Sequence, residues 1–154
     1  MKKIYLIFIL LIFFSGCGFK IVKKLDNNIN IAEIEFSGDK RINYRLKNKL
    51  IMYSNKSGKK LIKINLQSTK EKNIKEKNIK NEITKYSLKI QAKVELQEIG
   101  KGKLSKFIVA DTMDYEVAKH HSKTLDNEKK IIDLIIENIA DKILNNIRNE
   151  LDAI

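Results

Sequence analysis

Strict alternation of apolar and polar side chains marks residues 86–97 as the clearest strand in this sequence. One face of such a strand is buried and the other faces water. A flexible turn, Gly100-Lys101-Gly102, separates it from a second strand. Asp111 interrupts the apolar series of that second strand, which indicates a bend, a bulge or a strand end. The apolar positions of the two strands are Tyr86, Leu88, Ile90, Ala92, Val94 and Leu96, then Phe107, Val109, Met113, Tyr115 and Val117.

Two further strands are predicted earlier in the chain. Residues 29–36 alternate, with a break in phase around Ala32-Glu33, and residues 61–66 place three apolar side chains on one face. Residues 71–80 then form a tandem five-residue repeat, Glu-Lys-Asn-Ile-Lys, which is highly charged and of low complexity. We expect this repeat to be a solvated hairpin loop. A lysine-rich loop that grips anionic headgroups is the alternative.

Helical spacing occurs twice. Ile42, Leu46, Leu50 and Tyr53 recur every three or four residues, and Asp39 is placed to cap the helix that they predict. A longer helix is predicted from Thr124 to Leu151, with Thr124 or Asp126 as its cap. Its apolar stripe comprises Ile132, Ile135, Ile136, Ile139, Ile143, Leu144, Ile147 and Leu151.

The order of elements is therefore β-α-β-β-β-α, and the predicted fold class is α+β. Both helices are amphipathic and the strands have one apolar face. The economical packing is a two-layer sandwich, in which a four-stranded sheet carries two helices on one face. The polar face of the best-patterned hairpin is then open to water or to a partner.

The N-terminus has the layout of a bacterial secretion signal. Lys2 and Lys3 precede an apolar run from Ile4 to Phe14, and small residues stand directly before Cys17, the only cysteine. This run of 11 residues is shorter than the roughly 20 that a membrane-spanning helix needs. The segment Phe14-Ser15-Gly16-Cys17 matches a lipobox, which predicts a lipid anchor (palmitate among its acyl chains) on Cys17; a free buried cysteine is the alternative.

These features divide the chain into three parts. Residues 1–16 are the predicted lipoprotein signal peptide, residues 17–28 the lipidated cysteine and a polar tether, and residues 29–154 a single domain. Gly18, rather than Asp, follows the cysteine, which favours the outer membrane. We therefore expect a lipid-anchored protein on the periplasmic side of the outer membrane.

The formal net charge of the chain is +12. An excess of this size suggests an anionic partner, although an A+T-rich genome that favours Lys, Asn and Ile explains it equally well. Only three of the 31 basic residues are arginines, Arg41, Arg45 and Arg148. This scarcity argues against a nucleic-acid groove, because Arg is the preferred bidentate ligand of phosphate.

No strong catalytic pattern is present, and we expect neither an enzyme nor a cofactor. His120 and His121 are adjacent and would point apart on a strand. A metal site that includes Asp111 and Asp114 is a hypothesis, but a polar junction between strand and helix is the simpler interpretation, so no metal is expected.

The chain resembles the LPS-assembly lipoprotein family LptE, in its alphaproteobacterial form. The resemblance rests on Cys17-Gly18-Phe19, on the helical segment Arg45-Leu46-Lys47-Asn48-Lys49-Leu50, and on two C-terminal segments. Those segments are Asp114-Tyr115-Glu116-Val117-Ala118 and Glu137-Asn138-Ile139-Ala140-Asp141-Lys142-Ile143. The family usually has Pro shortly after Cys-Gly-Phe, whereas this chain reads Lys20-Ile21-Val22.

The resemblance implies a protein that plugs the lumen of an LptD-like outer-membrane β-barrel, assists its assembly and helps deliver lipopolysaccharide to the outer leaflet. The expected partners are the barrel, lipopolysaccharide and the membrane. A generic outer-membrane lipoprotein adaptor of another envelope assembly or transport complex is the alternative. Candidate lipopolysaccharide-binding residues, chosen by charge and expected exposure, are Lys72, Lys75, Lys77, Lys80, Lys101 and Lys103.

Overall fold

The computed structural model describes residues 29–102 and 104–152 of the 154-residue chain. The signal segment, Cys17, the tether and Lys103 lie outside the described residues. The elements are β1 (Ile29–Gly38), α1 (Lys40–Tyr53), β2 (Lys60–Lys77), β3 (Ile83–Glu98), β4 (Leu104–Glu116) and α2 (His121–Asp152). The predicted fold class, an α+β sandwich with the order β-α-β-β-β-α, is confirmed.

The four strands form one sheet in the order β1-β2-β3-β4. β1 pairs parallel with β2, and the other neighbours are antiparallel. The predicted break in phase in β1 is a register shift between Ile31 and Glu33. Both helices cover the same face of the sheet, and the apolar core lies between the two layers. Its largest fully buried side chains are Ile29, Leu46, Leu50, Ile62, Ile64, Leu88, Ile90, Ile135, Ile136, Ile139 and Ile143.

The sheet is long and has two distinct ends. We call the end that holds Ile29, the β3–β4 turn and the C-terminal ends of both helices the tether pole. The other end, formed by the β2–β3 turn at 78–82, is the hairpin pole. The 16 residues of β3 separate the two poles by roughly 50 Å at the usual rise of a strand.

The prediction that residues 71–80 form a loop is wrong. β2 continues through Lys77, and only residues 78–82 make the turn. The repeat is pinned by its pairing with β3, where Glu71 lies opposite Lys89 and Asn73 opposite Ser87. Charged residues are compatible with this part of the strand because the helices leave its side chains largely exposed.

Two predictions about the C-terminal half also need correction. β4 passes through Asp111 with no register shift, so the polar residue marks neither a bend, a bulge nor a strand end. α2 begins at His121, and Thr124 lies inside its first turn. Thr124 instead holds the β4–α2 connection, because its Oγ1 accepts a hydrogen bond of 2.9 Å from the amide of Ala118.

β1 ends abruptly at Gly38, which lies against Ser68 of β2. Gly38 has a φ of +88°, and a Cβ atom added there would lie 2.1 Å from the carbonyl oxygen of Ser68. That same oxygen accepts a hydrogen bond of 3.0 Å from the amide of Asp39. Asp39 then caps α1 as predicted, since its Oδ1 accepts from the amides of Arg41 and Ile42. The chain therefore leaves the sheet halfway along β2.

We expect Gly38→Ala to lower the free energy of unfolding by more than about 3 kcal/mol, because it combines a strained φ with a backbone clash. Gly100→Ala is the matched control, since Gly100 has a similar φ of +93° but open space around it. The control should lose only about 1–2 kcal/mol. Urea unfolding followed by circular dichroism measures the free energy of unfolding of both variants. Equal losses would contradict the close contact between Gly38 and the Ser68 carbonyl.

Candidate functional site

The structure does not bring together the five candidate lysines that it describes. Lys72, Lys75, Lys77 and Lys80 lie towards the hairpin pole, whereas Lys101 lies in the turn at the tether pole. The separation between the two groups approaches the length of β3, roughly 50 Å. A single ligand headgroup therefore cannot contact both groups on one molecule.

Several of these lysines already have partners. Lys75 forms an ion pair with Asp114, and Lys77 donates a hydrogen bond of 2.9 Å to Oδ1 of Asn81. Lys101 Nζ lies 3.1 Å from the buried carboxylate of Glu98. Lys80 lies in the exposed turn. These lysines were chosen for their charge and expected exposure. Several of them are instead engaged in ion pairs or hydrogen bonds.

Lys72 belongs to a compact group that we call the tyrosine cluster, made of Lys72, Tyr86, Tyr115 and Glu128. The two tyrosine rings are stacked with centroids 5.6 Å apart, and Lys72 Nζ lies 4.2 Å from the centroid of Tyr86. Glu128 on α2 accepts hydrogen bonds from Lys72 at 2.7 Å and from the Tyr115 hydroxyl at 2.8 Å. The cluster holds α2 against the half of the sheet that is nearer the hairpin pole.

The cluster shifts the pKa values of its members. Burial alone would raise the pKa of Glu128, but hydrogen bonds from Lys72 and Tyr115 outweigh it and the pKa is lowered. Burial alone would lower the pKa of Lys72, yet its hydrogen bonds with Glu128 and Tyr115 raise it. The pKa of Tyr115 is raised, chiefly by burial. Each shift keeps the group in the protonation state that the cluster needs at neutral pH.

Beside this cluster lies a concavity of about 290 Å³ that we call the basic groove. It is bounded by the start of α1, the first half of α2 and the part of β2 that extends beyond β1. Its charged lining contains four cations and two carboxylates, and its apolar lining comes from both helices. The residues are Arg41, Arg45, Lys70, Lys129, Asp39 and Glu128, with Ile42, Leu125 and Ile132.

The charges of the basic groove are only partly neutralised inside it. Glu128 is committed to the tyrosine cluster and lies 3.9 Å from Lys70 Nζ. Asp39 is occupied in capping α1. Arg45 forms an ion pair with Asp133 of α2. A concave surface that combines excess positive charge with exposed Leu125 suits a molecule with an anionic head and an apolar part.

Sequence reasoning did not identify this groove. Its cations stand on three separate elements, and the segments that contain Arg41 and Lys129 are almost 90 positions apart. The available signal was the scarcity of arginine, since two of the three arginines, Arg41 and Arg45, lie one helical turn apart on α1. That spacing places both on one face of the helix, but only the packing shows what this face meets.

The aspartates considered as metal ligands lie on opposite faces of the sheet. Asp111 faces the helices and accepts hydrogen bonds from Asn138 at 2.8 Å and from Lys142 at 3.1 Å. Asp114 lies on the open face with Lys75. In residues 29–102 and 104–152, no group of three or more His, Cys, Asp or Glu side chains is arranged to hold a metal ion.

The sheet face that is not covered by helices is polar and contains mixed charges. Lys63 bridges Glu33 and Glu35 of β1, and Lys106 pairs with Glu95. A shallow depression of about 390 Å³ runs across β1, β2 and β3 on this side. We call this surface the open face. Over most of its length it presents ion pairs, amides and hydroxyls. Its shape and polarity suit contact with another polar surface rather than binding in a deep pocket.

Replacing Glu128 with Gln should lower the free energy of unfolding by about 1 kcal/mol at neutral pH, because the ion pair with Lys72 is lost in a partly exposed site. A carboxylate with a lowered pKa stabilises the fold above its unfolded-state pKa and loses this effect as the pH falls through the folded-state pKa. The difference from wild type should therefore narrow below about pH 4.5, the ordinary value for Glu.

Urea titrations at neutral pH and at pH about 3 measure this difference. Glu71→Gln, an exposed change on β2 next to Lys72, is the control and should stay within about 0.5 kcal/mol of wild type. A Glu128→Gln deficit that is the same at both pH values would contradict the role assigned to the carboxylate.

Among the described residues, no helix has both the length and the apolar character needed to cross a membrane. No protein-family model matches the sequence, and no curated protein matches it either.

Solved structures do share its architecture. Rare lipoprotein B from Shewanella oneidensis superimposes with a TM-score of 0.59 at 15% identity, covering 79% of this chain and 97% of that one. Lipoprotein B from Nitrosomonas europaea gives a TM-score of 0.59 at 12% identity, over 88% and 94% of the two chains. The chain thus has the fold of these lipoproteins over almost their full length.

Proposed function

We propose that this chain is an outer-membrane lipoprotein of the LptE type, which plugs an LptD-like β-barrel, assists its assembly and helps deliver lipopolysaccharide. The observation that carries the proposal is the fold shared with two lipoproteins over almost their whole length. The N-terminal sequence supports it independently, because Cys17 stands in a lipobox context. Fold and anchor together favour a small domain held at a membrane.

The open face supports the plug role. The interior wall of a large outer-membrane barrel is polar, and the open face offers it ion pairs such as Lys106–Glu95 beside exposed Gln67 and Thr112. The two-layer domain is also narrow relative to its length, since four strands span only about 15–20 Å across the sheet. An elongated domain with a polar wall can lie along a barrel axis without burying unpaired charge.

The basic groove supports the glycolipid role. Lipopolysaccharide carries phosphates next to acyl chains, and the groove sets Lys70 and Lys129 beside Leu125 and Ile132. Guanidinium groups recognise phosphate oxygens through paired hydrogen bonds, and Arg41 lies at the groove wall. We therefore assign lipid phosphate binding to the basic groove in preference to the turn at 78–82.

A tagged full-length chain, extracted in mild detergent, should co-purify with a β-barrel protein that mass spectrometry identifies. Gln67→Arg combined with Thr112→Arg adds bulk and charge to the open face and should reduce the yield of barrel several-fold. Asn48→Arg combined with Asn149→Arg, which adds the same bulk and charge at exposed helix positions, is the control and should leave the yield unchanged. Recovery of inner-membrane or peptidoglycan components in place of a barrel would contradict the plug role and favour an adaptor of another complex.

Glycolipid binding should depend on the basic groove more than on the hairpin. We expect Lys70→Gln with Lys129→Gln to weaken lipopolysaccharide binding several-fold at low salt and to flatten its salt dependence, because two phosphate partners are lost. Lys77→Gln with Lys80→Gln removes the same charge at the hairpin pole and should have little effect. Displacement of a fluorescent lipid A analogue measures both variants. Weakened binding in the hairpin variant but not in the groove variant would instead assign the binding site to the hairpin lysines.

A further inference from the structure

Exposed apolar side chains are concentrated at the tether pole. Twelve large hydrophobic residues are exposed among those that the structure describes, and five of them lie at this end of the domain. Their exposed fractions range from 39% to 66%, which is high for residues of this type. They are Ile51, Met52, Leu61, Ile99 and Leu104.

Hydrogen bonds hold these residues at one end of the molecule. The amide of Ile99 donates to the carbonyl of Leu61 at 2.9 Å, which sets two of them on neighbouring strands. Leu104 pairs with Gln97 on the adjoining strand. The end of α1 is fixed beside β1, because the amide of Asn55 donates to the carbonyl of Ile29 at 3.0 Å. Ile51 and Met52 therefore flank the residue at which the described chain begins.

Basic residues surround the same pole. Lys56 and Lys59 lie in the α1–β2 connection, Lys60 begins β2, and Lys101 lies in the β3–β4 turn. Of the acids in this region whose side chains the structure describes, Glu98 is buried, and Glu150 on α2 accepts a hydrogen bond from Ser105. The pole thus presents positive charge around apolar side chains.

We propose that the tether pole rests on a lipid bilayer surface that contains anionic headgroups. Amphipathic surfaces bind this interface by burying apolar side chains at the acyl boundary while lysines meet the headgroup phosphates. The position of the anchor favours this pole over the other. Cys17 precedes Ile29 by only 12 residues, which reach at most about 40 Å when fully extended.

This placement gives the orientation of the anchored domain outside a barrel, because a domain inside a barrel lumen has no bilayer surface at its pole. With the tether pole on the bilayer, the hairpin pole points away from it by roughly 50 Å, the length of β3. The inference rests on the lipid anchor of the proposed function but does not require a barrel partner or lipopolysaccharide. It also gives a role to the exposed apolar residues at the pole, which lie outside the basic groove and beyond the polar part of the open face.

The chain contains no tryptophan, so a single introduced Trp reports its own surroundings. Ile99→Trp places the probe at the tether pole, and Ile79→Trp, in the fully exposed turn of the hairpin pole, is the control. Both full-length lipidated proteins are reconstituted into vesicles that contain phospholipids brominated on their acyl chains. Flotation of the vesicles confirms that each protein is anchored.

We expect the emission of Ile99→Trp to shift to shorter wavelength and to be quenched by the brominated chains, whereas Ile79→Trp is not. Quenching should be stronger in phosphatidylcholine mixed with phosphatidylglycerol than in phosphatidylcholine alone, and Lys56→Gln, at an exposed position of the same pole, should reduce it. Equal quenching in the two vesicle types would overturn the headgroup assignment.

An anchored Ile99→Trp protein that is not quenched would overturn the docking proposal alone, for instance because residues 18–28 cover the pole. Protein that does not float with the vesicles would remove the lipid anchor, and with it both this inference and the proposed function.

Discussion

The close approach of Gly38 at the end of β1 to Ser68 of β2 is the constraint on which the other features depend. Because only glycine fits against the Ser68 carbonyl, the chain leaves the sheet there and enters α1 through the Asp39 cap. β2 continues for nine residues beyond that point, from Thr69 to Lys77, with β3 as its neighbour on one side only. The basic groove and the tyrosine cluster both form in the space that β1 leaves.

This asymmetry divides the domain into two halves with different physical character. The half near the tether pole has four strands, both helices and most of the apolar core. The other half has three strands and the first turns of α2, and it is fastened largely by polar contacts around Glu128. Unpaired strand edges invite association, and lysines along an edge oppose it. Lys70, Lys72, Lys75 and Lys77 stand on the part of β2 that β1 leaves unpaired, which is the arrangement that opposes such association.

The distribution of charge also has a structural component. Of the basic residues that the sequence places in the repeat, Lys72 and Lys75 are held by carboxylates from other elements. Lys63 and Lys106 are paired in the same way on the open face. Further basic residues lie in the basic groove and around the tether pole. These two surfaces, one suited to a glycolipid and one to a bilayer, are the places where excess charge meets exposed apolar side chains.

The sequence alone determined the order of elements, the fold class and nearly all of the core, because periods of 2 and 3.6 residues report directly which side chains are buried. Periodicity failed at 71–80, where both faces are solvated and a strand is maintained by its pairing partner rather than by burial.

The interruption predicted at Asp111 was wrong for a related reason. Asp111 lies on the face that the helices cover, where it accepts hydrogen bonds from Asn138 and Lys142, which are distant in sequence. The parallel pairing of β1 and β2, the two poles and the basic groove required the tertiary structure. All of these features depend on which surfaces of the chain pack together. Local periodicity does not indicate contacts between residues that are far apart in the sequence.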